Sequence, residues 1–147
     1  MDKKEVLNFV YEVIKDENLQ IYPIVKYKYK HISYPCEIIL FKGKDKKNLL
    51  ICNLILNRNV FNNKTNRNLL KAYILHEFGH CFFESKSKYK NELYAQTWAI
   101  YKARKMGIKF IERHLITIMK EWLEMNWQDF EFRRYITAAK EYFKEKK

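Results

Sequence analysis

The sequence predicts an α+β fold in which a small antiparallel or mixed sheet packs on a helical core and a helical segment closes the chain. Three observations predict it. Apolar residues recur at helical intervals near the N-terminus, strand-like runs occupy residues 21–56, and every periodic segment after residue 66 is helical again. A chain of 147 residues fits one domain over 1–147. Within it we expect a core of 1–107 and C-terminal helices in 108–147.

The first helix is expected over residues 2–17, with Val6, Phe9, Val10, Val13 and Ile14 on one face. Residues 21–29 alternate, Lys26 and Lys28 against Val25, Tyr27 and Tyr29, as a strand with one wet face does. Residues 36–41 and 49–56 read as two further strands, and Gly43, Lys44, Asp45, Lys46 and Lys47 form the turn of a hairpin between them. A helix follows in which Leu69, Leu70, Tyr73, Ile74 and Phe78 share a stripe, with Asn66 placed to cap its start. The next spans about 88–106, with Gly107 as its stop. Ile111, Leu115, Ile118, Met119 and Trp122 mark a fourth helix. A fifth is expected to start near Asn126, with Asp129 as a cap, and to run through Phe130, Arg133, Arg134, Ile136 and Thr137. Trp122, Trp127, Phe130 and Phe132 are expected in the core, with partner docking as the alternative.

The chemistry concentrates in His76-Glu77-Phe78-Gly79-His80. Positions i and i+4 lie one above the other on a helix, so both histidines can aim a ring nitrogen at one metal ion. Glu77 follows the first histidine directly and can hold and deprotonate a water on that metal; this is the content of the H-E-x-x-H motif of zinc hydrolases. Two of the chain's four histidines fall at this spacing. Gly79 costs about 1 kcal/mol relative to Ala inside a helix, which points to a close approach of another backbone or a substrate strand. Zinc needs a third protein ligand and an open position for water. On the following helix Glu92, Ala95, Gln96 and Ala99 share one face, and the alanines permit close packing, so Glu92 is the expected third ligand.

With these residues in place, the chain resembles the ImmA/IrrE-type metallopeptidases of bacteria and their mobile elements. The resemblance rests on HEFGH followed by Glu92-Leu93-Tyr94-Ala95-Gln96-Thr97-Trp98-Ala99, and covers roughly the first two-thirds of the chain. It implies a zincin-like fold, a Zn2+ cofactor, His76, His80 and Glu92 as metal ligands, and Glu77 as catalytic base. It also implies a specific protein substrate, commonly a helix-turn-helix repressor of a mobile element, such as a phage, or of a stress response. Gln96 stands where the family usually has Asp or Asn supporting the metal site from behind a ligand; it is one methylene longer than Asn and neutral. The loop between His80 and Glu92 is also short. These two departures favour the alternative, a non-enzymatic interaction protein that keeps the fold. The group that stabilises the oxyanion stays open among His114, Tyr94 and Tyr89; His31 and His114 otherwise read as ordinary histidines, and Cys81 as packing.

The formal charge is +12 with a pI near 9.5. Lys26, Lys28, Lys30, Lys42, Lys44, Lys46 and Lys47, interleaved with Tyr27, Tyr29 and Tyr34, are a pattern that can bind phosphates and stack bases. Lysine also fills solvated positions throughout this Gly- and Pro-poor chain, so nucleic-acid binding ranks below steering of an acidic or DNA-bound substrate. No apolar stretch has the length of a membrane span, and residues 1–4 lead into an amphipathic helix rather than a signal peptide. Cys36, Cys52 and Cys81, odd in number and without a C-x-x-C pair, are expected as reduced thiols of a cytoplasmic protein.

Overall fold

The structure is a computed structural model. It describes the backbone of residues 3–17, 20–28, 36–42, 49–57 and 67–145, and the side chains of residues 4–17 and 68–144. The chain divides into two compact units, Met1–Ile74 and Leu75–Lys147.

The first unit holds α1 (Lys3–Ile14), three backbone strands and the start of α2 (Arg67–Gly79). Val6, Phe9, Val10 and Val13, one face of α1, are buried. The strands are β1 (Gln20–Lys28), β2 (Cys36–Lys42) and β3 (Leu49–Asn57). They run in the order β1-β3-β2, with β1 parallel and β2 antiparallel to β3. Their side chains, including the lysines and tyrosines of the basic strand, lie outside the described residues, as do the 43–47 turn, His31 and the cap at Asn66.

The second unit corrects the expected fold class. Among the residues whose side chains are described, 78% are helical and none is in a strand, so the part of the chain that carries the site is all-helical rather than a sheet packed on helices. The physical reason lies in the small residues of α3 (Lys88–Lys105). Ala95, Ala99 and Ala103 line one stripe at zero exposure, and helix backbones approach closely where side chains are that short. α3 packs against both α4 (Lys109–Leu123) and α5 (Arg133–Glu145), which also pack on each other. The α4 stripe Ile111, Leu115, Ile118, Met119 and Trp122 is buried as its spacing requires. Ile136, Ala138, Ala139 and Tyr142 close the core from α5.

The ends of α3 explain its placement. At its C-terminus Gly107 takes φ +73°, a left-handed conformation that Gly adopts without Cβ strain. The Ile108 N–H then bonds the Ala103 carbonyl at 3.0 Å and the Gly107 N–H the Arg104 carbonyl at 3.1 Å, a Schellman closure that turns the chain into α4. At its N-terminus the short loop from α2 is tied by Asn91, which accepts from the Ser85 N–H at 2.8 Å and donates to the Ser85 carbonyl at 2.9 Å.

The last helix begins later than periodicity suggests. Asn126 and Asp129 each accept from the backbone N–H two residues on, at 3.0 and 3.1 Å. Side-chain bonds of this kind compete with helix formation. A 3₁₀ turn at Phe130–Phe132 therefore precedes α5. The aromatic stripe is corrected too: Trp122 is buried, whereas Trp127, Phe130 and Phe132 are exposed. Arg133 lies over the Trp127 and Phe130 rings at 5.3 and 5.6 Å, so these rings are covered by a cation and not by core. Among the described residues, no helix is long and apolar enough to cross a membrane.

Candidate metal centre

The close approach expected at Gly79 occurs. A Cβ built there would lie 2.5, 2.6 and 2.9 Å from the O, Cα and C atoms of Ala95. The C-terminal turn of α2 is thus pressed against the middle of α3. That contact brings the HEFGH turn alongside Glu92, one turn before Ala95, and Gln96, the residue after it.

His76, His80 and Glu92 meet in one cluster. His76 Nε2 lies 3.0 Å from Glu92 Oε2 and 3.0 Å from His80 Nε2, and His80 Nε2 lies 3.4 Å from Glu92 Oε2. A tetrahedral ion held at about 2.0–2.1 Å from N and O donors keeps those donors about 3.3–3.4 Å apart. The triangle of His76, His80 and Glu92 donors is that size within a few tenths of an ångström. His76 and Glu92 are buried, and His80 is half-buried, which leaves access from one side.

The network behind the cluster decides what it can hold. The Gln96 side-chain amide donates to the Leu115 carbonyl at 2.7 Å, so its Oε1 is the atom that accepts from His76 Nδ1, also at 2.7 Å. A neutral histidine that donates from Nδ1 presents a lone pair at Nε2. Once His76 Nε2 has lost the proton that it otherwise donates to Glu92, its lone pair, His80 Nε2 and a Glu92 carboxylate oxygen converge. Such a set is satisfied by a cation. Two histidines and a carboxylate with one open side form the donor set of a catalytic zinc site. The extra methylene of Gln96 lets one neutral amide bridge α2 to α4, and the Leu115 carbonyl polarises it.

The titration behaviour has the same cause. Burial raises the Glu92 carboxyl, but hydrogen bonds and charge from His76 and His80 overcome that and hold it down at about 2. Burial lowers His76, yet the Glu92 bond and the Glu92 and Glu77 charges leave it above the ordinary histidine value. A histidine with a raised folded value contributes stability that is complete below its unfolded value of 6.5 and is lost as pH rises through the folded one. Bound metal reverses the sign, because protons compete with it for the same nitrogens. The metal-free chain is therefore expected to lose thermal stability as pH rises above 6.5, while the stabilisation added by zinc grows over the same range. Melting curves with and without zinc across pH check both directions; a zinc increment that shrinks with rising pH would contradict the ligand assignment.

Residues that the sequence did not single out for the site also reach it. Arg134 of α5 places Nε 4.0 Å from Glu92 Oε1, the carboxylate oxygen turned away from the histidines. The Trp122 ring stands edge-on to His76 at 5.9 Å, and Tyr135 packs on Trp122 at 5.0 Å. Nothing in local spacing marks these contacts, which cross from α4 and α5. Of the oxyanion candidates, Tyr94 stacks on Phe83 at 4.5 Å on an exposed groove, Tyr89 lines a cavity beside Arg134, and His114 is half-buried on α4. The Cys81 thiol donates to the Glu77 carbonyl and stays out of the ligand cluster.

Replacing Gln96 by Leu should test the supporting role. It removes the partners of His76 Nδ1 and of the Leu115 carbonyl, and losses behind a metal ligand cost about 10–100-fold in affinity. Competition with a chromophoric chelator measures this; unchanged zinc affinity would mean that Gln96 does not orient His76.

Comparison with protein-family models, with curated proteins and with solved structures finds no match to this chain.

Proposed function

We propose that this chain is a zinc-dependent endopeptidase of the ImmA/IrrE type that cleaves a specific protein in the cytoplasm, with a helix-turn-helix repressor as the substrate class. The observation that carries this reading is the meeting of His76, His80 and Glu92 donor atoms at 3.0–3.4 Å, with His76 oriented from behind by Gln96. His76, His80 and Glu92 would hold the ion. Zinc in such a site polarises the scissile carbonyl and lowers the pKa of a bound water toward about 7. Glu77, adjacent in sequence to the first ligand and close enough for its charge to raise His76, takes the proton of the attacking water and returns it to the leaving amine. Arg134, with Nε 4.0 Å from Glu92 Oε1, balances part of the charge of the carboxylate that would hold the ion. Trp122 closes the back of His76 with an apolar wall, and a drier site strengthens each of these electrostatic contacts.

The test is a proteome-derived peptide library incubated with the zinc-loaded chain and read for new N-termini by mass spectrometry. A defined cleavage motif that disappears with a chelator and returns with zinc is expected. Absence of zinc-dependent cleavage in both the library and intact candidate repressors would favour the non-enzymatic reading.

A further inference from the structure

Next to the ligand cluster a cavity of about 320 Å³ opens between the first turns of α3 and α5. Lys88 and Tyr89 line it from α3, Arg133 and Arg134 from α5, and Phe130 and Glu131 from the 3₁₀ turn. Three cations and one carboxylate thus line it, with a second carboxylate, Glu92, 4.0 Å from Arg134 Nε. Both helices start here, and a helix start carries roughly half a positive charge. α3 has 18 residues, and its N-cap Ser87 makes no side-chain cap bond. Arg133 is held rather than loose: its Nε donates to the Trp127 carbonyl at 2.9 Å while its guanidinium covers the Trp127 and Phe130 rings. A pre-positioned cation loses little freedom on binding an anion.

The cavity is joined to the metal centre through specific residues. Lys88 and Tyr89 lie four and three positions before Glu92, one turn away on the same helix face. Arg134 both lines the cavity and approaches Glu92 Oε1. A polypeptide with a carbonyl at the His76–His80–Glu92 cluster would have a neighbouring side chain within reach of this space. Its volume is at the small end for ligand cavities, which suits one side chain. The exposed Phe130 ring and Tyr89 offer apolar surface to that side chain's methylenes.

We propose that this cavity is a specificity subsite that reads an acidic side chain, Glu or Asp, beside the scissile bond. The proposal rests on the endopeptidase reading for its role, and its test is independent of turnover. The metal-free full chain, labelled with nitrogen-15, is titrated with acetyl-Ala-Glu-Ala-amide, with its Gln and Lys counterparts, and with inorganic phosphate. The Glu peptide is expected to move the amide signals of residues 88–92 and 130–137, with the Gln peptide bound about tenfold more weakly because it lacks the charge. The response should weaken with salt and be lost in Lys88→Glu, an exposed position where misfolding is not expected. Equal response to the Glu and Gln peptides, no response, or phosphate acting as strongly as the Glu peptide would overturn the proposal. Zinc uptake is measured on the same samples. A chain that takes up zinc without Glu selectivity keeps the peptidase reading and loses the subsite; Glu selectivity without zinc uptake keeps the acidic-peptide pocket and loses the peptidase reading.

Discussion

Replacing Glu77 by Gln is expected to lower peptide hydrolysis by about 10²–10⁴-fold, the usual contribution of a positioned general base, while zinc content stays the same. The amide has nearly the same shape but cannot take a proton from water. Zinc should be retained because Glu77 is outside the cluster of His76, His80 and Glu92. Its negative charge is one of the causes that raise His76. Removing that charge lowers the proton affinity of His76, so proton competition with zinc weakens. Initial rates on a cleaved library peptide, together with metal analysis of both proteins, test the two halves separately. Hydrolysis that survives in Glu77→Gln would remove Glu77 from the mechanism. Loss of zinc along with activity would make Glu77 part of the metal site.

Gly79→Ala should be the most damaging single-methyl change in the site region. The added Cβ meets the O, Cα and C atoms of Ala95 at 2.5–2.9 Å, and all three belong to the α3 backbone or its Cα, so no side-chain rotation relieves the clash. The helices must move apart. Overpacking of this kind typically costs about 1–3 kcal/mol, against a gain of about 1 kcal/mol in helix propensity from replacing Gly with Ala. Any separation also widens a ligand triangle with edges of 3.0–3.4 Å. We expect lower resistance to denaturant together with weaker zinc binding. Ala95→Gly should not rescue it, because the clash is with the backbone. A Gly79→Ala variant of unchanged stability and zinc affinity would mean that α2 and α3 are not in contact at this point.

The site was legible in the sequence where its logic is local. His76 and His80 are fixed by the helical repeat, and Glu92 with Gln96 by the same repeat on the next helix. Gly79 was an anomaly in a helix that pointed to its own cause. What was not legible depends on contacts across long separations. Arg134, Tyr135 and Trp122 reach the cluster only because α4 and α5 pack on α3, and no spacing rule foretells that. The helix that follows Asn126 starts late because two side chains capture backbone N–H groups that would otherwise enter it. Trp127, Phe130 and Phe132 share the composition of a core stripe, yet one cation, Arg133, lies over two of them at the surface. The α+β expectation does not describe the unit that bears the site: the strand-like runs lie in residues 21–56, and among the residues whose side chains are described none is in a strand, the core being helices packed about the Ala95, Ala99 and Ala103 stripe.

The most direct test of the metal centre is zinc per chain in protein purified without added metal, beside a His80→Ala control. One zinc per chain, lost in the control, is the predicted result, since removing one of three ligands leaves too few to hold the ion. No zinc in the parent chain and no uptake on titration would contradict the metal centre and, with it, the peptidase reading.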